Sequence, residues 1–157
     1  LLGAALRAFC LIVLLAVLCL RVVTYATADR LAPRYLGAWT LTGAAYLPWA
    51  QHPANPAARR GLIGRTVVFR AETIDGPAPF ACRTPRYALR EVAAAEILGS
   101  AFGKLPARDA EPLAAALGFS GARVRTLETG CSVDIHFVDA ATARVVRGNT
   151  VYTLTRR

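Results

Sequence analysis

Chemistry-bearing residue types are scarce in this chain. Histidine is limited to His52 and His136 and lysine to Lys104. A closed zinc site takes three or four ligands. After residue 28 only His52, His136, Cys82 and Cys131 remain, so a four-ligand site of histidine and cysteine would have to use all of them. The serines at 100, 120 and 132 lie in no G-x-S-x-G motif, so a nucleophile elbow is excluded. No glycine-rich phosphate loop is present, and there is no internal repeat or low-complexity tract. Glu72 and Asp75 flank a proline-bordered turn, where nothing sets the separation that a glycosidase carboxylate pair requires. These absences leave little room for an enzyme, and no cofactor is expected.

Apolar residues, by contrast, are concentrated at one end. Arg7 precedes an unbroken apolar run from Ala8 to Leu20, and Ala26-Thr27-Ala28 follows. A positive residue, a short apolar stretch and an A-x-A pattern together outline a signal peptide. Cleavage after Ala28 would leave one domain over 29–157, a length suited to a single core. The rival is an uncleaved anchor over 8–23, with Arg21 at the interface, although the run is shorter than the ~20 apolar residues of a membrane span. Leu18 before Cys19 argues against a lipoprotein.

The formal net charge is +9, from 19 basic and 10 acidic residues. Without Arg7 and Arg21 it is +7, because residues 1–28 contain no acid. Arginines carry nearly all of this charge and are scattered rather than massed. Such a surface attracts anionic envelope components or an acidic protein partner. No nucleic-acid recognition motif accompanies it, and no nucleic-acid partner is expected. Past the leader, Cys82 and Cys131 remain, and an even count in an exported chain predicts a disulfide. Closing a loop of that length contributes roughly 4 kcal/mol in the chain-entropy treatment.

Hydrophobic periodicity predicts mostly strands. Over 35–46, Trp39 and Leu41 alternate with Thr40 and Thr42, the period of a half-buried strand. Further strands are expected over 65–71, 80–83, 87–92 (where helix is also compatible), 123–129, 133–137, 143–146 and 150–155. Arg147-Gly148-Asn149 reads as a tight turn. The Pro-rich stretch 47–61 reads as a long loop carrying Trp49. Only the alanine-rich stretch 93–117 has helical composition. Pro106 and Pro112 should break it into short pieces, the second capped by Asp109. The expected fold is all-β with a short helical insertion: a small antiparallel β-barrel or sandwich behind an N-terminal signal or anchor segment.

The segments "GAWTLTGAAYLPWA", "IGRTVVFRAETIDGPAPFAC" and "TGCSVDIHFVDAAT…NTVYTLTR" resemble a group of small exported proteins of alphaproteobacteria to which no activity is assigned. The likeness covers most of the chain after residue 28 and implies a periplasmic location and pairing of the two cysteines. Gly37-Ala38-Trp39 is similar to the G-x-W of lipocalins, where the tryptophan packs across the closed end of a barrel, and to the opening of META-type domains. A small barrel with one disulfide also resembles the membrane-bound inhibitors of C-type lysozyme, although their inhibitory loop motif is not found.

The expected function is therefore a periplasmic binding or interaction protein without catalysis, holding a small apolar ligand or contacting a partner. Candidate binding residues are Trp39, Tyr46, Trp49, Asp134 and His136. Asp134 and His136 are expected side by side on the polar face of a strand, as a surface hydrogen-bonded pair. Two alternatives stand beside this reading. One is an inner-membrane-anchored accessory subunit of an envelope complex, facing the periplasm and touching the membrane only through residues 8–23. The other is a small hydrolase or isomerase using His136 and Asp134.

Overall fold

The computed structural model describes residues 34–47, 60–102, 107–119, 121 and 123–157. The expected leader at 1–28, Trp49 and His52 lie outside these residues. The strands are β1 (Gly37–Tyr46), β2 (Thr66–Phe69), β3 (Ile74–Asp75), β4 (Ala88–Ala93), β5 (Arg123–Glu128), β6 (Ile135–Phe137), β7 (Thr142–Arg147) and β8 (Thr150–Arg156). Between β4 and β5 lie α1 (Ala94–Phe102) and α2 (Ala107–Ala116). Among the described residues, no helix is long and apolar enough to cross a membrane.

All eight strands form one antiparallel sheet, in the order β3-β2-β1-β8-β7-β6-β5-β4, curled into a half-barrel. Of the two expected architectures the barrel-like one is realised. Strands adjacent in the chain pair with each other except β3 with β4, and β1 pairs with β8. The ring is open only between β3 and β4.

The segment 76–87 runs across that opening, and its side chains stitch it. Phe80 is buried and meets Tyr152 edge-on with centroids 5.2 Å apart. Ile74 and Cys82 exchange backbone hydrogen bonds of 2.7 and 2.8 Å. The sulfurs of Cys82 and Cys131 lie at disulfide-bonding distance, with Cα atoms 6.5 Å apart. The Tyr87 hydroxyl donates to the Arg70 carbonyl at 2.8 Å, and burial pushes its pKa up to about 12. The strand expected over 80–83 is absent; only the isolated Ile74–Cys82 bridge forms. Pro79 and Pro85 bracket it, and a residue without N–H cannot extend a ladder.

The alternation in β1 holds: Trp39 and Leu41 are fully buried and Thr42 is exposed. The register then shifts between Leu41 and Gly43, a bulge that bends the strand. At the β7–β8 hairpin, Arg147 pairs with Thr150 and leaves a two-residue loop. Gly148 has φ +55°, and among the described residues no non-glycine residue has positive φ. Gly148-Asn149 therefore makes a turn with glycine first, whose twist suits a tight hairpin.

The helices differ from expectation in two respects. Pro112 lies inside α2 rather than ending it, and Asp109 sits in its first turn rather than capping it. Proline removes the donor for the carbonyl four residues earlier. That carbonyl belongs to exposed Arg108, where water can take the bond. Ala110, Ala114 and Leu117 recur at helical spacing and are buried, so α2 keeps an apolar stripe of small residues against its neighbours.

Candidate functional site

The two faces of the sheet are covered differently. Cross-strand registers place Leu41 against Leu154, Leu154 against Ala143 and Ala143 against Phe137. This concave row belongs to a core that also holds Trp39, Val67, Phe80 and Tyr152. On the convex face, α1 and α2 pack through Ala94, Leu98, Ala114 and Leu117 on Val124 and Val151.

Between those convex apolar contacts runs a polar row. Thr126 pairs with His136, His136 with Arg144 and Arg144 with Thr153. Thr126 Oγ1 and His136 Nδ1 lie 2.9 Å apart. Arg144 Nη1 donates to Thr153 Oγ1 at 2.8 Å and its Nε to the Gly118 carbonyl at 3.3 Å, just past the C-terminus of α2, where a cation is favoured. Phe119 covers the His136 ring edge-on, centroids 5.8 Å apart.

Beneath the start of α1 this row opens into a cavity of about 520 Å³. Its polar lining is Glu96, Thr126, Ser132, Asp134, His136 and Asn149, and its apolar lining includes Val92, Ile97 and Val146. Three structures converge there: α1 supplies Glu96, the β5–β6 loop supplies Ser132 and Asp134, and the β7–β8 turn supplies Asn149. Buried Thr129 organises the loop. Its hydroxyl donates to the Val133 carbonyl and accepts from Cys131 N–H at 3.1 Å. Its own N–H donates to Asp134 Oδ1 at 3.1 Å. Arg147 Nη1 ties the hairpin to this loop through the Ser132 carbonyl, 3.3 Å away.

Two expectations about the pair at 134 and 136 need correction. His136 is only 7 % exposed, not a surface residue. Its hydrogen-bond partner is Thr126, while Asp134 serves the Thr129 amide. A period-2 pattern shows which face a residue takes but not what folds over that face, and here the helices do. Burial lowers the His136 pKa to about 4, so the ring is neutral at neutral pH. The charged groups on the cavity wall, Glu96 and Asp134, are both acidic.

Trp39 and Tyr46 are not brought to this cavity. Trp39 is fully buried in the concave core, 5.7 Å from the Phe137 ring and with the Arg156 guanidinium 5.6 Å above it. Among the described residues, its indole Nε1 has no hydrogen-bond partner. Tyr46 is half-buried at the end of β1, paired with Thr150. Sequence reasoning missed Glu96, Asn149 and Thr126. Asn149 was within reach, since the tight turn beside it is legible, but its convergence with a helix was not. Among the described residues, no group of three histidine, cysteine or acidic side chains stands together as a metal site. Comparison with protein-family models, with curated proteins and with solved structures finds no match to this chain.

Proposed function

We propose that this is an exported, periplasmic binding protein that holds a small molecule in the convex cavity without transforming it. The observation that carries the reading is the cavity itself. Its volume lies within the range of small-molecule sites, and such sites combine apolar walls with a few convergent polar groups. Val92, Ile97 and Val146 form the apolar side. Neutral His136 and Asn149 offer hydrogen bonds, while Glu96 and Asp134 favour a ligand carrying an amine or several N–H donors.

The chemistry of the same groups supports binding over turnover. A general base works best with a pKa near the working pH, and His136 lies well below it. Its ring is oriented by a threonine rather than a carboxylate, and Cys131 is joined to Cys82. Export is supported by the leader outline and by this cysteine pairing, which suits an oxidising compartment.

Native mass spectrometry of the protein purified from its own envelope fraction tests the proposal. The expected result is a chain mass beginning near Asp29, with a small bound mass that is released unchanged. Val146→Trp, which fills the cavity, should arrive empty. A wild-type protein without a bound mass, or a Val146→Trp variant still carrying one, would overturn the assignment. A passenger chemically altered by the wild type but not by His136→Gln would replace it with the hydrolase or isomerase reading.

A further inference from the structure

A second cavity, of about 350 Å³, lies at the concave side of the sheet beside the edge strand β4. Its aromatic floor is Tyr35 and Phe137, with ring centroids 4.9 Å apart and an interplanar angle of 49°. Around it stand Arg34, Arg123 and Arg125, with Glu91 and Asp139 as the acids.

The disposition of these charges is uneven. Glu91 Oε1 accepts from Arg125 Nε at 3.0 Å, and Arg125 Nη1 also donates to the Tyr35 hydroxyl at 3.2 Å. Asp139 Oδ1 accepts from the Ala141 and Thr142 amides, both at 2.7 Å. Both acids are therefore engaged within the protein. Arg34 lies over the Tyr35 ring at 4.9 Å, and Arg123 donates to the Glu91 backbone carbonyl. Among the described residues, neither Arg34 nor Arg123 has a carboxylate within salt-bridge distance. A guanidinium carries five N–H donors in a planar fork that matches a carboxylate or phosphate.

We infer that this mouth binds a small organic anion with a planar apolar body, its ring against Tyr35 and Phe137 and its anionic group between Arg34 and Arg123. The site is separate from the convex cavity, which lies on the opposite face of the sheet and whose charged lining is acidic. The two sites would select for opposite charge.

The test titrates the full chain with 2-naphthoate by isothermal calorimetry, beside the neutral 2-naphthamide and inorganic phosphate. Saturable naphthoate binding is expected, with affinity falling about tenfold or more in the double variant Arg34→Gln/Arg123→Gln, as befits the loss of charge-assisted hydrogen bonds. Arg83→Gln/Arg90→Gln removes the same charge elsewhere on the surface and should leave it unchanged. All four arginines are exposed, and thermal melts check that both double variants fold. Equal loss in the two double variants would reduce the effect to bulk charge and overturn the site. So would naphthamide or phosphate binding as tightly as naphthoate, or the absence of saturable binding. Val146→Trp should leave naphthoate binding intact, which separates this site from the convex one. A loss there would place the anion in the convex cavity and overturn the inference.

Discussion

On the concave face, Trp39, Leu41, Leu127 and Leu154 sit at 0 % exposure in a core filled by large side chains. Behind them, through one layer of backbone, Thr126, His136, Arg144 and Thr153 form a polar row on the helix-covered face, hydrogen-bonded as the pairs Thr126–His136 and Arg144–Thr153. A side chain in the first region contributes by the area it removes from water. In the second it contributes by how well its polar atoms are satisfied, and it is penalised for carrying charge. One sheet can thus hold a rigid interior and, on its reverse, a cavity with directional groups.

The largest effect should come from breaking the concave side. Trp39→Ala is expected to destabilise the fold by about 4 kcal/mol, the scale for deleting a buried aromatic, read as a shift in urea midpoint at constant slope. Trp39→Phe sharpens the point. It removes an indole N–H that has no partner among the described residues, so it should cost well under half as much.

On the convex side the sensitive variable is pH. His136 titrates at about 4 in the fold, against ~6.5 when unfolded. Its contribution is fully present above pH 6.5, where both states are neutral. It is lost as pH falls toward 4, because the unfolded chain binds the proton first. The loss amounts to roughly 3 kcal/mol at most. Denaturant unfolding at pH 7 and 4.5 should show it, and His136→Gln should flatten that segment of the profile. An unchanged pH dependence in the variant would show that His136 is not the group responsible.

The expected alternation made the concave face legible. Trp39, Leu41, Val67 and Phe69 declare themselves by period, and Gly148 declares its hairpin by glycine's access to positive φ. The polar row was visible only as a pattern. Alternation marks Asp134 and His136 as facing away from Val133 and Ile135. It cannot show that α1 and α2 pack on that face or that Phe119 covers His136, because that depends on contacts between distant parts of the chain. The arginine mouth was hidden for the same reason. Arg34, Glu91 and Arg123 are far apart in sequence and meet only through the register of β4 with β5 and the approach of Tyr35 to Phe137.

A smaller effect probes where the helices meet the polar row. Gly118 has φ +83°, and an added Cβ would lie 2.1 Å from Arg144 Nη2. The guanidinium end can move aside, whereas the backbone conformation cannot be relieved that way. Gly118→Ala should therefore cost about 1 kcal/mol, with only a minor part recovered in the Arg144→Ala background of a double-mutant cycle. The smallest effect is expected on the outer surface. The Arg70–Asp75 pair is 2.8 Å apart but more than half exposed on both sides. Arg70→Ala should change the unfolding free energy by no more than about 0.5 kcal/mol.

Pairing of β1 with β8 also constrains the order of assembly. Thr40 aligns with Thr155 and Tyr46 with Thr150, so the first strand waits for the last before its ladder is complete. Closing so long a stretch of chain is entropically slow. A ribosome releasing this sequence in order leaves the buried Trp39 strand half-paired until Thr150–Arg156 has emerged. The nascent chain is therefore kept open by its own topology.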